Sequence, residues 1–256
     1  MDLKLFNSKT PLGEYRNDVW RVVESQEHVA TLEIVDSLDE QYLLEVMLDN
    51  AKPEYRHGTE RMHYLLKTAF RYPPLKYGSR FGSQLMPSYF YGSELFQTAL
   101  CETAYYRFLF LEHMETAYAA PIRSEYSMFK VTVAAQQCLD LTSGIFESAQ
   151  AQLIDPQSYL YSQSVGKWAI EQEPPVDLIR FYSARQAQAI NLAVATPTAI
   201  RSRQPSELRS WLCLTRSNVD EPLNSSVSFR SMESQKIYQF SRAQFCDEAG
   251  RFLHVA

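Results

Sequence analysis

Phe70-Arg71-Tyr72-Pro73-Pro74-Leu75-Lys76-Tyr77-Gly78-Ser79-Arg80-Phe81-Gly82, followed by Ser88-Tyr89-Phe90-Tyr91-Gly92-Ser93 and Ala99-Leu100-Cys101-Glu102, is the stretch on which the reading of this chain turns. Pro73, Pro74 and Gly78 stop any helix and predict an irregular loop. A short strand around Tyr91 follows. Ser93 then reads as the N-cap of a long helix from Glu94 to about Glu115, with Phe96, Ala99, Leu100, Thr103 and Ala104 sharing one face. The order loop, strand, helix sets Arg80, Tyr91 and Glu102 at intervals of 11 and 11 residues.

Upstream, Ser37 and Glu40 form a capping-box pattern ahead of Tyr42-Leu43-Leu44-Glu45-Val46-Met47-Leu48, which predicts a helix closed by Asn50 and Pro53. Residues 1–60 are therefore expected to form a helical extension, and residues 61–256 the main domain. A second helix is expected over Glu60 to Ala69. Downstream, Met128, Lys130 and Thr132 alternate with Phe129, Val131 and Val133, the period of a strand. Leu139-Asp140-Leu141 reads as a short extended piece, and Gln163 to Glu171 as a helix ended by Pro174 and Pro175. Strands are expected at Asp177–Tyr182, Ala189–Ala195, Ser210–Leu214 and Lys236–Phe240. The serine- and asparagine-bearing run Arg216 to Ser234 reads as a surface loop. The class is α+β, because the elements do not alternate as βαβ units.

The chain has 256 residues, 45% hydrophobic and 21% charged, enough to bury a core without disulfides. A net charge of -5 gives no long-range attraction to nucleic acid or to an anionic membrane, so neither is expected as a partner. Residues 1–60 hold no Lys/Arg cluster of the kind that neutralises phosphates. Cys101, Cys138, Cys213 and Cys246 have no ligand spacing and read as free thiols of a reducing cytosol. No apolar window reaches the ~20 residues of a membrane helix, and the start lacks a signal sequence, so a soluble cytoplasmic protein is expected. Glycine-rich nucleotide loops, HExxH and GxSxG are absent, the five histidines are scattered, and no metal site is expected.

The quoted blocks resemble the RES family, named for an arginine, a glutamate and a serine, whose members include toxins of prokaryotic toxin–antitoxin pairs. Gly78-Ser79-Arg80-Phe81 resembles its G-G-R-W/F loop, and Ser93 to Glu102 its E/S-x-A-L-x-E helix. Further on, Cys138-Leu139-Asp140-Leu141 is similar to an L-D-L strand, and Tyr161-Ser162-Gln163-Ser164-Val165-Gly166 to a T/S-Q-x-x-G helix. Ser183-Ala184-Arg185, with Asn191 and Pro197 after it, is similar to an S-x-R…N-x-x-x-P segment. The resemblance spans roughly residues 65–200. Ser79 replaces the second loop glycine and is expected to restrict a loop that needs φ > 0.

The resemblance implies an ADP-ribosyltransferase-like fold, a mixed β-sheet core with flanking helices, that binds NAD as substrate and breaks its nicotinamide–ribose bond. Glu102 would then stabilise the electron-poor ribosyl centre. Arg80 would clamp the pyrophosphate with paired, charge-assisted bonds. Tyr91 would offer a ring to nicotinamide and a hydroxyl to ribose. Arg71 and Tyr72 would add phosphate or ribose contacts, and Ser183 and Arg185 would hold a phosphate oxygen. Each residue alone has an ordinary reading: a solvated helix carboxylate for Glu102, a surface arginine for Arg71, a packing ring for Tyr91, a turn residue for Ser183.

Two activities share this chemistry: NAD degradation with water or inorganic phosphate as acceptor (glycohydrolase or phosphorylase), and ADP-ribosyl transfer to a protein. A catalytically silent binding module is the third reading. The resemblance also implies a neutralising antitoxin, in this family usually a small helix-turn-helix protein.

Overall fold

Val19-Trp20-Arg21-Val22-Val23, a β-branched and aromatic run around one arginine, forms the middle of the first strand. The computed structural model describes residues 3–25, 34–74, 76–116 and 120–255. In chain order the elements are β1 (Gly13–Glu24), α1 (Leu38–Ala51), α2 (Tyr64–Lys67, prolonged by a tighter turn to Phe70), β2 (Phe90–Ser93) and α3 (Phe96–Glu112). Next come β3 (Ile122–Asp140), α4 (Gln150–Leu153), α5 (Leu160–Ile170), β4 (Leu178–Tyr182), β5 (Ile190–Val194), β6 (Glu207–Arg216), β7 (Ser226–Ser231) and β8 (Ile237–Ser241). This is the expected α+β class.

The strands run in the order β1-β2-β5-β4-β3-β6-β7-β8, and β1 also pairs with β3. β3 is long enough to serve three neighbours. One edge faces β1 along its length; the other faces β6 from Ile122 to Lys130 and β4 from Cys138 to Asp140. Only β3–β4 is parallel among these pairings. β1, β3, β4, β5 and β2 thereby close into a ring, whose last joint, β1 to β2, is the single pair Trp20↔Ser93. β6, β7 and β8 continue outward as an open sheet.

Strand alternation sorts the core into three bodies. Val19, Phe90, Phe129, Val131, Leu192 and Val194 pack together under α2. Leu139, Ile179, Phe181 and Ala193, on the other face of their strands, pack with Phe81 and with Val165 of α5. α3 lays Leu100, Ala104 and Phe108 over Met128, Cys213 and Phe229. At about 25 cal/mol per Å², each fully buried Phe or Leu contributes roughly 1.5–3 kcal/mol.

Four expectations need correction. The N-terminal stretch is not helical throughout: residues 13–24 are a strand, because β3 offers them an open edge and β-branched side chains suit it. α1 does form, with the Ser37 hydroxyl accepting the Glu40 N–H; residues 26–33 lie outside the described residues. Ser93 ends β2 rather than capping α3, since its hydroxyl bonds Asn191 Oδ1 at 2.6 Å and the helix begins at Phe96. The loop expected over 216–234 contains β7, in which Val227 and Phe229 are fully buried between serines. The 128–133 alternation and the Leu139-Asp140 piece belong to one strand, β3. No described helix is long and apolar enough to cross a membrane.

Candidate active site

β2, β5 and β4 turn Tyr91, Ser93, Asn191 and Phe181 toward one face, with Ser93 opposite Asn191 and Phe181 opposite Asn191 in register. α3 crosses that face and lowers Glu102 onto it. Glu102 Oε1 accepts from Ser183 Oγ and from Asn191 Nδ2, each at 2.6 Å. Asn191 is fixed in turn by the Ser93 hydroxyl on its Oδ1. Glu102 Oε2 has no hydrogen-bond partner among the described residues. A carboxylate is thus held by one oxygen with the other left to act.

Ser183 has no capacity left. It donates to Glu102 and accepts the backbone N–H groups of Arg185 (3.0 Å) and Gln186 (3.1 Å). A hydroxyl has one proton and two lone pairs, so the phosphate contact expected of Ser183 gives way to a positioning role.

The Arg80 loop is built from the Gly78 turn. Gly78 has φ of 72°, and a Cβ there would meet Gly82 O at 2.4 Å. The left-handed residue is Gly78 and not Ser79, so the serine costs the loop nothing; its hydroxyl accepts the Gly82 N–H instead. Gln163 of α5 donates to the carbonyls of Tyr77 and Ser79, both at 3.0 Å. Gly166 on the same helix lets Phe81 O approach to where a Cβ would stand, 1.9 Å away. The S-Q-x-x-G block therefore holds the loop. Tyr91 does the same from the other side: its hydroxyl donates to Ser79 Oγ (2.9 Å) and accepts the Phe81 N–H (3.1 Å). Burial pushes the Tyr91 phenol up to about 12, so it stays protonated at neutral pH. Its hydroxyl belongs to the loop, while its ring lines the cavity beyond.

That cavity, about 300 Å³, is lined by residues of β1, β2 and α3 and by the 79–80 and 184–185 loops. Its lining includes Arg80 and Arg185 against one carboxylate, Glu102; Arg21 also borders it, but the Arg21 guanidinium lies over the Phe90 ring on the α2 side. Arg80 is 8% exposed; its Nη1 donates to the carbonyls of Leu153 (2.9 Å) and Asp155 (3.1 Å), and its guanidinium stands 4.9 Å from the Tyr159 ring centre. Burial lowers its pKa, with Arg185 adding to the effect. Arg185 lies over Tyr105 at 3.5 Å.

Arg21 was not legible as a site residue. It projects from β1, donates to Tyr91 O at 2.6 Å, lies 4.9 Å from the Phe90 ring centre, and has a buried Nε without an acceptor among the described residues. Burial pushes its guanidinium down to about 10. Among the described residues no carboxylate pairs with it, and a buried unpaired cation is costly. Arg21 also borders a second cavity of about 300 Å³, formed with Val23, Tyr64, Leu65, Thr68, Ala69 and Tyr72.

Of the residues singled out from sequence, Arg80, Tyr91, Glu102 and Arg185 line the first cavity, and Ser183 stands behind Glu102. Tyr72 lines the second cavity instead. Arg71 borders neither: its guanidinium bonds Pro53 O (2.6 Å) and Asp49 Oδ1 (3.1 Å) and stacks on Tyr55, so it is a brace for the end of α1.

Compared with known proteins, residues 53–214 match the family model described as RES domain. RES domains are known from toxin–antitoxin systems. No curated protein matches the chain.

Proposed function

The chain belongs to the RES domain family, and on that premise we propose that it degrades NAD by breaking the nicotinamide–ribose bond in the first cavity. The observation that carries this reading is the pairing of two arginines, Arg80 and Arg185, with one half-satisfied carboxylate, Glu102, in a single cavity. A dinucleotide brings a pyrophosphate for the cations and a ribose for the acid. Arg80 and Arg185 bind the phosphates. The cavity, about 300 Å³, is small for a whole dinucleotide and suits its nicotinamide ribose phosphate half.

Nicotinamide leaves with the bonding pair as a neutral base, and positive charge develops on the ribosyl carbon. Glu102, pinned through Oε1, stabilises that charge through Oε2 without reorganising. Water or inorganic phosphate adds its oxygen to the carbon and gives up a proton to solvent. An activity that empties a cell of NAD requires restraint, so a neutralising partner protein, a small helix-turn-helix antitoxin in this family, and a cytoplasmic setting belong to the proposal.

The test is nicotinamide release from NAD by the purified protein, with and without phosphate, for the parent and for Glu102→Gln. Gln keeps the Oε1 acceptor for Ser183 and Asn191 and replaces the charged Oε2 with a neutral amide nitrogen. Turnover should fall on the order of a hundredfold while NAD affinity changes little. A parental rate in a folded variant removes Glu102 from the chemistry, and no nicotinamide release by the parent refutes the reading.

A further inference from the structure

A surface helix normally gathers its apolar side chains into one stripe and buries it, and α1 does neither. Leu38, Tyr42, Leu43, Val46, Met47 and Leu48 occur on every side of it, yet it has no buried residue. Leu43 is 59% exposed and Met47 60%. Scattered apolar side chains on a surface mean little, but a contiguous set marks a binding surface. The helix is also firmly presented. Ser37 caps its start, and Arg71 ties Asp49 and Pro53 at its end while stacking on Tyr55.

Charge selects the occupant. Asp39, Glu40 and Glu45 lie among the apolar residues, no Lys or Arg occurs between Leu38 and Ala51, and Asp49 at the end is already paired with Arg71 and Lys52. An anionic bilayer would repel this helix, and α1 of a second copy would set acid against acid. We propose that α1 docks into a partner protein presenting an apolar groove rimmed by lysine and arginine, the helix-in-groove mode of recognition. α1 ends before the segment matched by the family, 53–214, so this surface belongs to the extension of this chain. It is independent of the catalytic reading.

The test places a photo-crosslinking amino acid at Met47 of the full-length chain, expressed in its own host. The crosslinked protein is then identified, purified and titrated against the full-length parent. The crosslinked segment is expected to be apolar and flanked by Lys or Arg. Leu43→Glu with Met47→Glu should weaken binding about tenfold or more. Asp39→Asn with Glu45→Gln should weaken it several-fold at low salt, with the difference lost near ~0.5 M salt. Circular dichroism verifies that both variants are folded. Crosslinking only to a second copy or to lipid, no crosslinked product, or a partner whose affinity ignores both double variants overturns the proposal.

Discussion

Gly166→Ala is the sharpest perturbation of the loop that carries Arg80. A Cβ at position 166 would stand 1.9 Å from Phe81 O, 2.8 Å from Phe81 C and 3.1 Å from Phe81 Cα. A carbon and a carbonyl oxygen rest comfortably at about 3.3 Å, so roughly 1.4 Å must open between α5 and the loop. Neither side yields cheaply, because Phe81 is fully buried against Phe181 and Val165 is fully buried on the same helix. Overpacking of this kind costs about 1–3 kcal/mol, which for a chain of this size lowers Tm by roughly 2–12 °C. Arg80, next to Phe81, is displaced with it, and a shift of about 1 Å at a binding group costs on the order of a hundredfold in rate. Calorimetry and NAD turnover measure the two effects. Gly144→Ala is the control, since nothing lies within 4 Å of a Cβ there. Should Gly166→Ala melt with the Gly144→Ala control, the close contact that seats the loop does not exist.

Ser183→Ala removes one of the two donors to Glu102 and strands the N–H groups of Arg185 and Gln186. It should lose about 1–3 kcal/mol of stability and lower kcat with KM nearly unchanged, with Thr restoring both; a raised KM at unchanged kcat would favour the phosphate contact. Alkaline pH should destabilise the fold. Burial pushes the thiols of Cys101 and Cys138 from 9.0 up to about 12 and that of Cys213 to about 11. Below about pH 9 both states keep these protons; between about 9 and 12 the unfolded chain releases them first, so stability falls as pH rises. A Tm that stays level between about pH 8.5 and 10.5 would contradict this burial.

Local patterns carried much of the site. Arg80, Tyr91 and Glu102 were legible because a turn, a strand and a helix each leave a short-range mark, and α3 brings Glu102 to the cavity whatever its exact start. Arg21 left no such mark. Within a run of valines it is one more alternating strand residue, and its burial arises only where β1 meets β2, 70 positions away at Tyr91. Ser183 and Tyr91 were recognised as polar groups near the site, but which of their bonds were already taken depends on Glu102 and on the 79–82 turn. Arg71 misled because an arginine beside Tyr-Pro-Pro gives no hint of Asp49 and Tyr55, which come close through the return of the chain from α1. β7 was hidden by its serines, which dilute the Val227/Phe229 alternation.

β1 lies outside the segment that matches the family, as do β7 and β8. A fragment trimmed to residues 53–214 would therefore lose Trp20, Arg21 and Val22 from the cavity wall and leave one edge of β3 bare over Tyr126–Cys138. An uncovered strand of that length, bearing Phe129, Val131 and Val133, is a template for self-association. Family boundaries make a poor cutting guide here: a piece that keeps this cavity wall and covers the edge of β3 must begin no later than Gly13.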